Sequence, residues 1–168
     1  MQYRQCSAEQ FSLAVTNDPR DKFAKTFIAK ANMQKLWPFC MGVWDGEVLK
    51  GAVITTVSKR KPKVANLQLL HVFAASRRQG VGRSLCVWAL SYAGYCKAAY
   101  FRVSAEPEAV EFYERCGFKF WGKQKSGCSL CMYRIRDGKY DASDPVIDKA
   151  LFSGRKGSLA VSYKKGKA

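Results

Sequence analysis

The stretch Arg77-Arg78-Gln79-Gly80-Val81-Gly82-Arg83-Ser84-Leu85 joins an extended apolar run, Leu67 to Ala74, to a helix-like run ending near Ala93. Two glycines two residues apart let backbone N–H groups close on an anion, and the helix start that follows points its partial positive charge at the same place. Arg77, Arg78 and Arg83 add charge of matching sign, so the segment reads as a phosphate cradle. It is not a dinucleotide fingerprint, because Leu85 stands where the third glycine belongs, and not a P-loop, because no Gly-Lys-Ser/Thr is present. Cys128-Ser129-Leu130-Cys131 has metal-ligand spacing but lacks a partner pair, and the only histidine is His71, so no metal is expected.

These residues need a scaffold. The run Leu67 to Ala74 predicts a strand, Gly80 to Ala93 a helix and Ala98 to Val103 another strand, a β-α-β unit with parallel strands. Glu106-Pro107 opens the next helix, with Pro107 in the first turn and Glu106, Glu108 and Glu111 at its positive end, and Gly117 stops it. Phe118 to Trp121 and Ser129 to Ile135 supply closing strands, joined through Gly122 to Gly127. Upstream, Ser7-Ala8-Glu9-Gln10 predicts a capping box, Asn17-Asp18-Pro19 a helix end or turn, and Phe23, Phe27, Ile28 and Ala31 a second amphipathic helix. Phe39 to Trp44 and Val48 to Val57 flank Asp45-Gly46-Glu47, a hairpin signal. Lys59-Arg60-Lys61-Pro62-Lys63 must be a loop, read either as a solvated turn or as a phosphate-contacting finger. Beyond Arg136 the character changes. Residues 1–136 are read as the domain and 137–168 as a basic extension, with one short helix capped by Asp144-Pro145.

The glycine loop resembles the Arg/Gln-x-x-Gly-x-Gly/Ala signature of the GCN5-related N-acetyltransferases (GNAT), matched by Arg77, Gly80 and Gly82, with Leu70 and Val72 of the preceding strand also in pattern. Ala109, Phe112, Tyr113, Gly117 and Phe118 look like the family's second hallmark, Ala-x-x-Phe-Tyr-x-x-x-Gly-Phe. The resemblance covers roughly residues 40 to 135. It implies an α/β (α+β) fold with a mixed, twisted, mostly antiparallel sheet, a central splayed parallel strand pair and flanking helices. It implies acetyl-CoA, or another acyl-CoA, as cosubstrate. The backbone of Leu70 and Val72 would take the pantetheine, and Arg77, Arg78, Gln79, Gly80, Val81, Gly82, Arg83 and Ser84 would form the anion nest. The first two helices would build much of the acceptor pocket.

Acyl transfer needs a neutral amine, stabilisation of a developing oxyanion and a proton for the departing thiolate. By the resemblance Tyr113 donates that proton; the competing reading is a core aromatic beside Phe112. Many relatives carry a glutamate base on the strand before the loop, and none stands between Val64 and Ala75. His71 replaces it by chemistry, since its ordinary pKa suits an ammonium near neutral pH, although a strand histidine between Leu70 and Val72 also suits a packed role. Gln68, read as sharing the face of His71, and Ser104 at the next strand's end would order a water. No base is needed if the acceptor amine is weakly basic. Where relatives carry an asparagine this chain has Glu106, which would repel CoA phosphate, bind a cationic acceptor or serve as the base.

The 168 residues suffice for one domain with a proper core. Lys and Arg number 29 against 13 Asp and Glu, a net charge of +16 with basic excess in every third of the chain. Such a field concentrates polyanions, and CoA phosphates account for only part of it. Nucleic acid, DNA or tRNA, is therefore the expected partner: an amine on a modified base or the α-amine of an aminoacyl-tRNA. Protein and small-molecule amines stay open, a polycationic acceptor is disfavoured, and the rival of another class is a non-catalytic nucleic-acid-binding module on the same fold. Trp37, Phe39, Trp44, Phe120 and Trp121 are read as core or as stacking platforms for bases. Seven cysteines without a leader point to a reduced cytoplasmic chain, no stretch is apolar enough for a membrane, and monomer and homodimer are both open.

Overall fold

A computed structural model of the protein describes residues 1–17, 22–59 and 63–135. The turn expected at Asp18-Pro19, the centre of the loop at Arg60-Lys61-Pro62 and the extension 137–168 lie outside the described residues. The chain divides into two compact units, one of Met1–Thr56 with Leu67–Ala89, the other of Val57–Asn66 with the chain from Leu90 onward.

The first unit begins with strand β1 (Gln2–Gln5), followed by helices α1 (Ala8–Asn17) and α2 (Lys22–Met33). The capping box forms as its sequence demands: Ser7 N–H donates to Gln10 Oε1 at 2.9 Å and Gln10 N–H to Ser7 Oγ at 3.2 Å. A short 3-10 turn, Trp37–Phe39, leads into β2 (Cys40–Asp45), and a tight turn with Gly46 at φ 58° returns the chain as β3 (Val48–Val57). Strand β1 pairs antiparallel with β2, and β2 with β3, from Cys40 opposite Ile54 to Asp45 opposite Val48. A bulge interrupts this register. Val43 faces Gly51 but Trp44 faces Leu49, leaving Lys50 with no opposite residue on β2. That extra residue lets Leu49, Ala52 and Ile54 share one face, where they join Phe11, Val15, Phe27, Trp44, Leu69 and Phe73 in a single apolar cluster beneath α1 and α2.

Strand β4 (Val64–Val72) starts in the second unit and ends in the first, and helix α3 (Val81–Tyr95) crosses the boundary back. In the second unit β5 (Tyr100–Ala105) runs parallel to the start of β4, as the β-α-β connection requires, and pairs antiparallel with β7 (Ser129–Arg134), which in turn pairs antiparallel with β6 (Lys119–Lys123). A 3-10 turn at Pro107–Ala109 precedes the short helix α4 (Val110–Arg115). The core of this unit is aromatic: Phe118 meets Phe101, Tyr113 and Tyr133 at ring-centroid distances of 5.6, 5.6 and 5.5 Å. Gly117, at φ 96°, closes α4 with Phe118 N–H on Tyr113 O, and a Cβ there would lie 2.8 Å from Tyr133 Cε2.

Candidate active site

The cradle takes its shape from two residues in the left-handed region, Arg78 at φ 61° and Gly80 at φ 79°. Gly80 is required by its backbone angle and not by crowding, because a Cβ built there meets nothing within 4 Å. Its carbonyl accepts the first helical bond of α3, from Ser84 N–H at 3.0 Å. The N–H groups of Val81, Gly82 and Arg83 therefore precede the helix's own hydrogen-bond ladder and face out from its positive end. Arg77, Arg78, Gln79 and Arg83 are all exposed. Such an arrangement of outward amides, an open floor and three guanidinium groups fits a pyrophosphate.

Side-chain bonds hold the loop in this form. Arg77 Nε donates to Val72 O at 3.0 Å, and Gln79 Nε2 to Ala75 O at 3.3 Å. Ser84 is held twice, by its N–H in the helix and by its hydroxyl against that of Tyr3 on β1; with Tyr3 as donor the Ser84 hydroxyl hydrogen is left to reach an anion. Nothing in the sequence singles out Tyr3. Gly51 carries a signal of its own, since an isolated glycine within the strand run Val48–Val57 marks close backbone approach. A Cβ at Gly51 would sit 2.7 Å from His71 O and 3.0 Å from Leu85 Cδ1, so this glycine lets β3, β4 and the first turns of α3 come together.

Along β4, Leu67, Leu69 and His71 are buried while Gln68, Leu70 and Val72 are half-buried, the period-two alternation of a strand. This corrects one expectation. Gln68 shares the face of Leu70 and Val72, not that of His71, and its amide donates to Thr56 Oγ1 at 3.0 Å. His71 is 6% exposed and sits edge-on to Phe73 at 4.9 Å and to Phe11 at 6.1 Å, in the cluster under α1.

Ser104, Glu106 and Tyr113 belong to the second unit. Ser104 is exposed on β5 opposite Leu130, and Glu106 is exposed at the start of the 3-10 turn, with its carbonyl accepting Ala109 N–H at 2.9 Å. Tyr113 is 6% exposed on α4, its ring edge-on to Phe112 at 5.1 Å and to Phe118 at 5.6 Å. Of the candidate stacking aromatics, Trp44 and Trp121 are buried, Trp37 and Phe120 half-buried, and Phe39 exposed. Among the described residues no group of three or more His, Cys, Asp or Glu is placed to hold a metal ion, and no helix is long and apolar enough to cross a membrane.

A model of the acetyltransferase (GNAT) domain family matches residues 3–136. The chain belongs to this family. As a GNAT acetyltransferase it transfers an acyl group to an amine and uses acetyl-CoA as cosubstrate. Solved structures share the fold at low identity. Aminoglycoside 6'-acetyltransferase type Ii aligns with TM-score 0.64 and 15% identity, covering 80% of this chain and 97% of that one. The PaiA N-acetyltransferase from Thermoplasma acidophilum, in complex with coenzyme A, gives 0.62 and 14% over 79% and 98%. FeeM, an N-acyl amino acid synthase from uncultured soil microbes, gives 0.60 and 18% over 83% and 98%. No curated protein sequence matches this acetyltransferase significantly.

Proposed function

We propose that this GNAT acetyltransferase acetylates a primary amine carried on, or held close to, a nucleic acid: an amine on a modified DNA base or the α-amine of an aminoacyl-tRNA. The observation that carries the reading is the net charge of +16, far more than a CoA pyrophosphate needs and not confined to one segment. Exposed Lys59, Lys97, Lys119, Lys123 and Lys125 of the second unit, and Arg77, Arg78 and Arg83 at the cradle, support it.

In this reading the outward amides of Val81, Gly82 and Arg83, with Arg77, Arg78 and Gln79, hold the CoA pyrophosphate, and the backbone of Leu70 and Val72 lines up the pantetheine. Acetyl-CoA, when bound, supplies an activated acyl group. Tyr113 holds the proton that the leaving sulfur takes. His71, buried against Phe11 and Phe73, is the less accessible candidate base. Glu106, exposed, carries a carboxylate suited to drawing in an ammonium.

A second reading, acetylation of small-molecule amines, is favoured by the neighbours named for aminoglycosides and N-acyl amino acids. A non-catalytic binding module is the rival of another class. Calorimetric titration with acetyl-CoA, with and without a short DNA duplex and a tRNA at two salt concentrations, separates the three. Micromolar cofactor binding together with salt-sensitive nucleic-acid binding supports the proposal. Cofactor binding alone shifts the search to small amines, and nucleic-acid binding without cofactor gives the case to the non-catalytic module.

A further inference from the structure

Cys6 and Cys40 are far apart in sequence and directly opposed in space. The β1–β2 register, Gln5 opposite Met41, extends one residue further, and Cys6 N–H donates to Cys40 O at 3.0 Å. Opposed residues in such a hydrogen-bonded antiparallel pair have Cα atoms about 5.5 Å apart, with both side chains on one face of the sheet. That separation lies in the middle of the range a disulfide spans, roughly 4.4–6.8 Å. Both cysteines are free thiols and both are buried, at 0% and 1% exposure.

The two thiols differ. Their mutual side-chain contact holds the Cys6 thiol down and, with burial, pushes the Cys40 thiol up, so Cys6 is the member that ionises first. Cys6 also forms part of the wall of a surface pocket of about 550 Å³, together with Ser7, Trp37 and Pro38. Cys6 directly follows β1, which is four residues long and, among the described residues, has β2 as its one neighbour in the sheet. Fraying of this short edge strand is the route by which a small disulfide would reach Cys6.

We propose that Cys6 and Cys40 form a redox-active dithiol site that reacts with low-molecular-weight disulfides and closes to an intramolecular Cys6–Cys40 bond. The Cys6 thiolate attacks one sulfur of the small disulfide, forming a mixed disulfide and releasing one thiolate. Cys40, giving up its proton, then attacks Cys6 Sγ and expels the second. Two protein thiols are oxidised and one disulfide is reduced to two thiols, which carry off the two protons. The product ties the edge strand and the cap of α1 to β2, at the root of the two helices of the first unit.

The test is incubation of the reduced, folded protein with glutathione disulfide, followed by trypsin digestion without reductant and mass spectrometry. Cys6 falls in peptide 5–20 and Cys40 in peptide 36–50, each the only cysteine of its peptide, so the cross-link is unambiguous. The expected result is a linked pair of these peptides, two hydrogens lighter than their sum, and a Tm raised by roughly 5–15 °C. Cys40→Ser should instead retain glutathione on Cys6, while Cys6→Ser should yield neither product. Phenylarsine oxide, which bridges paired thiols, gives a second readout on the unmodified chain: one equivalent bound across these two peptides. Absence of the linked peptides from the folded protein while half-buried Cys96, Cys116 or Cys128 takes up glutathione would overturn the proposal, as would a cross-link that forms only in denaturant.

Discussion

Replacing Gly80 by alanine isolates the backbone angle on which the cradle depends. At φ 79° glycine is unstrained, whereas an L-residue in the left-handed region costs roughly 1–2 kcal/mol. A Cβ meets nothing within 4 Å, so no steric contribution adds to this figure. The penalty must surface in one of two places. If the free loop relaxes to negative φ, the cradle has to be rebuilt on binding, and the acetyl-CoA Kd rises about 5- to 30-fold, since 1.4 kcal/mol is a factor of ten. If the loop keeps its form, the fold bears the cost and Tm falls by about 2–8 °C. Calorimetric titration and a thermal melt on the same preparation capture both, and Gly80→Asn should recover part of the loss because asparagine enters this region more readily. A Kd within twofold of the parent together with an unchanged Tm would refute the argument. A loss above a hundredfold would also contradict it, by showing that the space over Gly80 belongs to the ligand and not to solvent.

Other perturbations have equally definite outcomes. Tyr113→Phe keeps the ring contacts to Phe112 and Phe118, so Tm should hold within a few degrees while kcat falls by about 10²- to 10⁴-fold with cofactor binding intact; unchanged turnover removes Tyr113 as proton donor. Gly51→Ala drives a Cβ against the backbone oxygen of His71 and should destabilise by about 1–3 kcal/mol, measured by urea unfolding, with an unaffected midpoint showing that β3 and β4 can separate freely. Ser7→Ala loses one half of the capping box and should cost about 1 kcal/mol by the same assay. Deleting residues 137–168 removes seven Lys and Arg, and should weaken polyanion binding and flatten its salt dependence; an unaltered slope would assign that charge no part in binding.

Much of the architecture was legible because its local chemistry is unambiguous. Ser7 and Gln10 can satisfy one another only at a helix start, and Gly46 and Gly117 mark turns that favour positive φ. Helix ends without glycine escaped the same logic. Lys35 at φ 54° and Lys97 at φ 61° close α2 and α3 as Gly117 closes α4, with Leu36 N–H on Ala31 O and Ala98 N–H on Ala93 O, so α3 runs past Ala93 to Tyr95. Strand β1 was missed because four largely exposed residues show no alternation, and its pairing with β2 is specified from the far side of two helices. Glu106-Pro107 opens a 3-10 turn ahead of α4, because with six residues the helix has little room before Gly117 ends it. In the site, the tight glycine loop and the helix that follows it were readable from their own residues. The face of Gln68 was misjudged for want of a simple count along β4, and the Tyr3–Ser84 pair, 81 residues apart, is a product of the fold alone.

Lys50, the unmatched residue of the β2–β3 bulge, also accepts the N–H of Phe73 at 3.0 Å, just where β4 gives way to the loop. Single-residue length changes in this hairpin are therefore unlike length changes in an ordinary turn. Deleting Lys50 would make the ladder regular while keeping Leu49 opposite Trp44 and Val48 opposite Asp45, so leucine stays buried and valine exposed. It would also withdraw the carbonyl that fixes the chain seven residues before Gly80. The cost of removing the bulge should therefore appear at the glycine loop and not in the hairpin itself, a constraint on the loop that is written in the neighbouring strand.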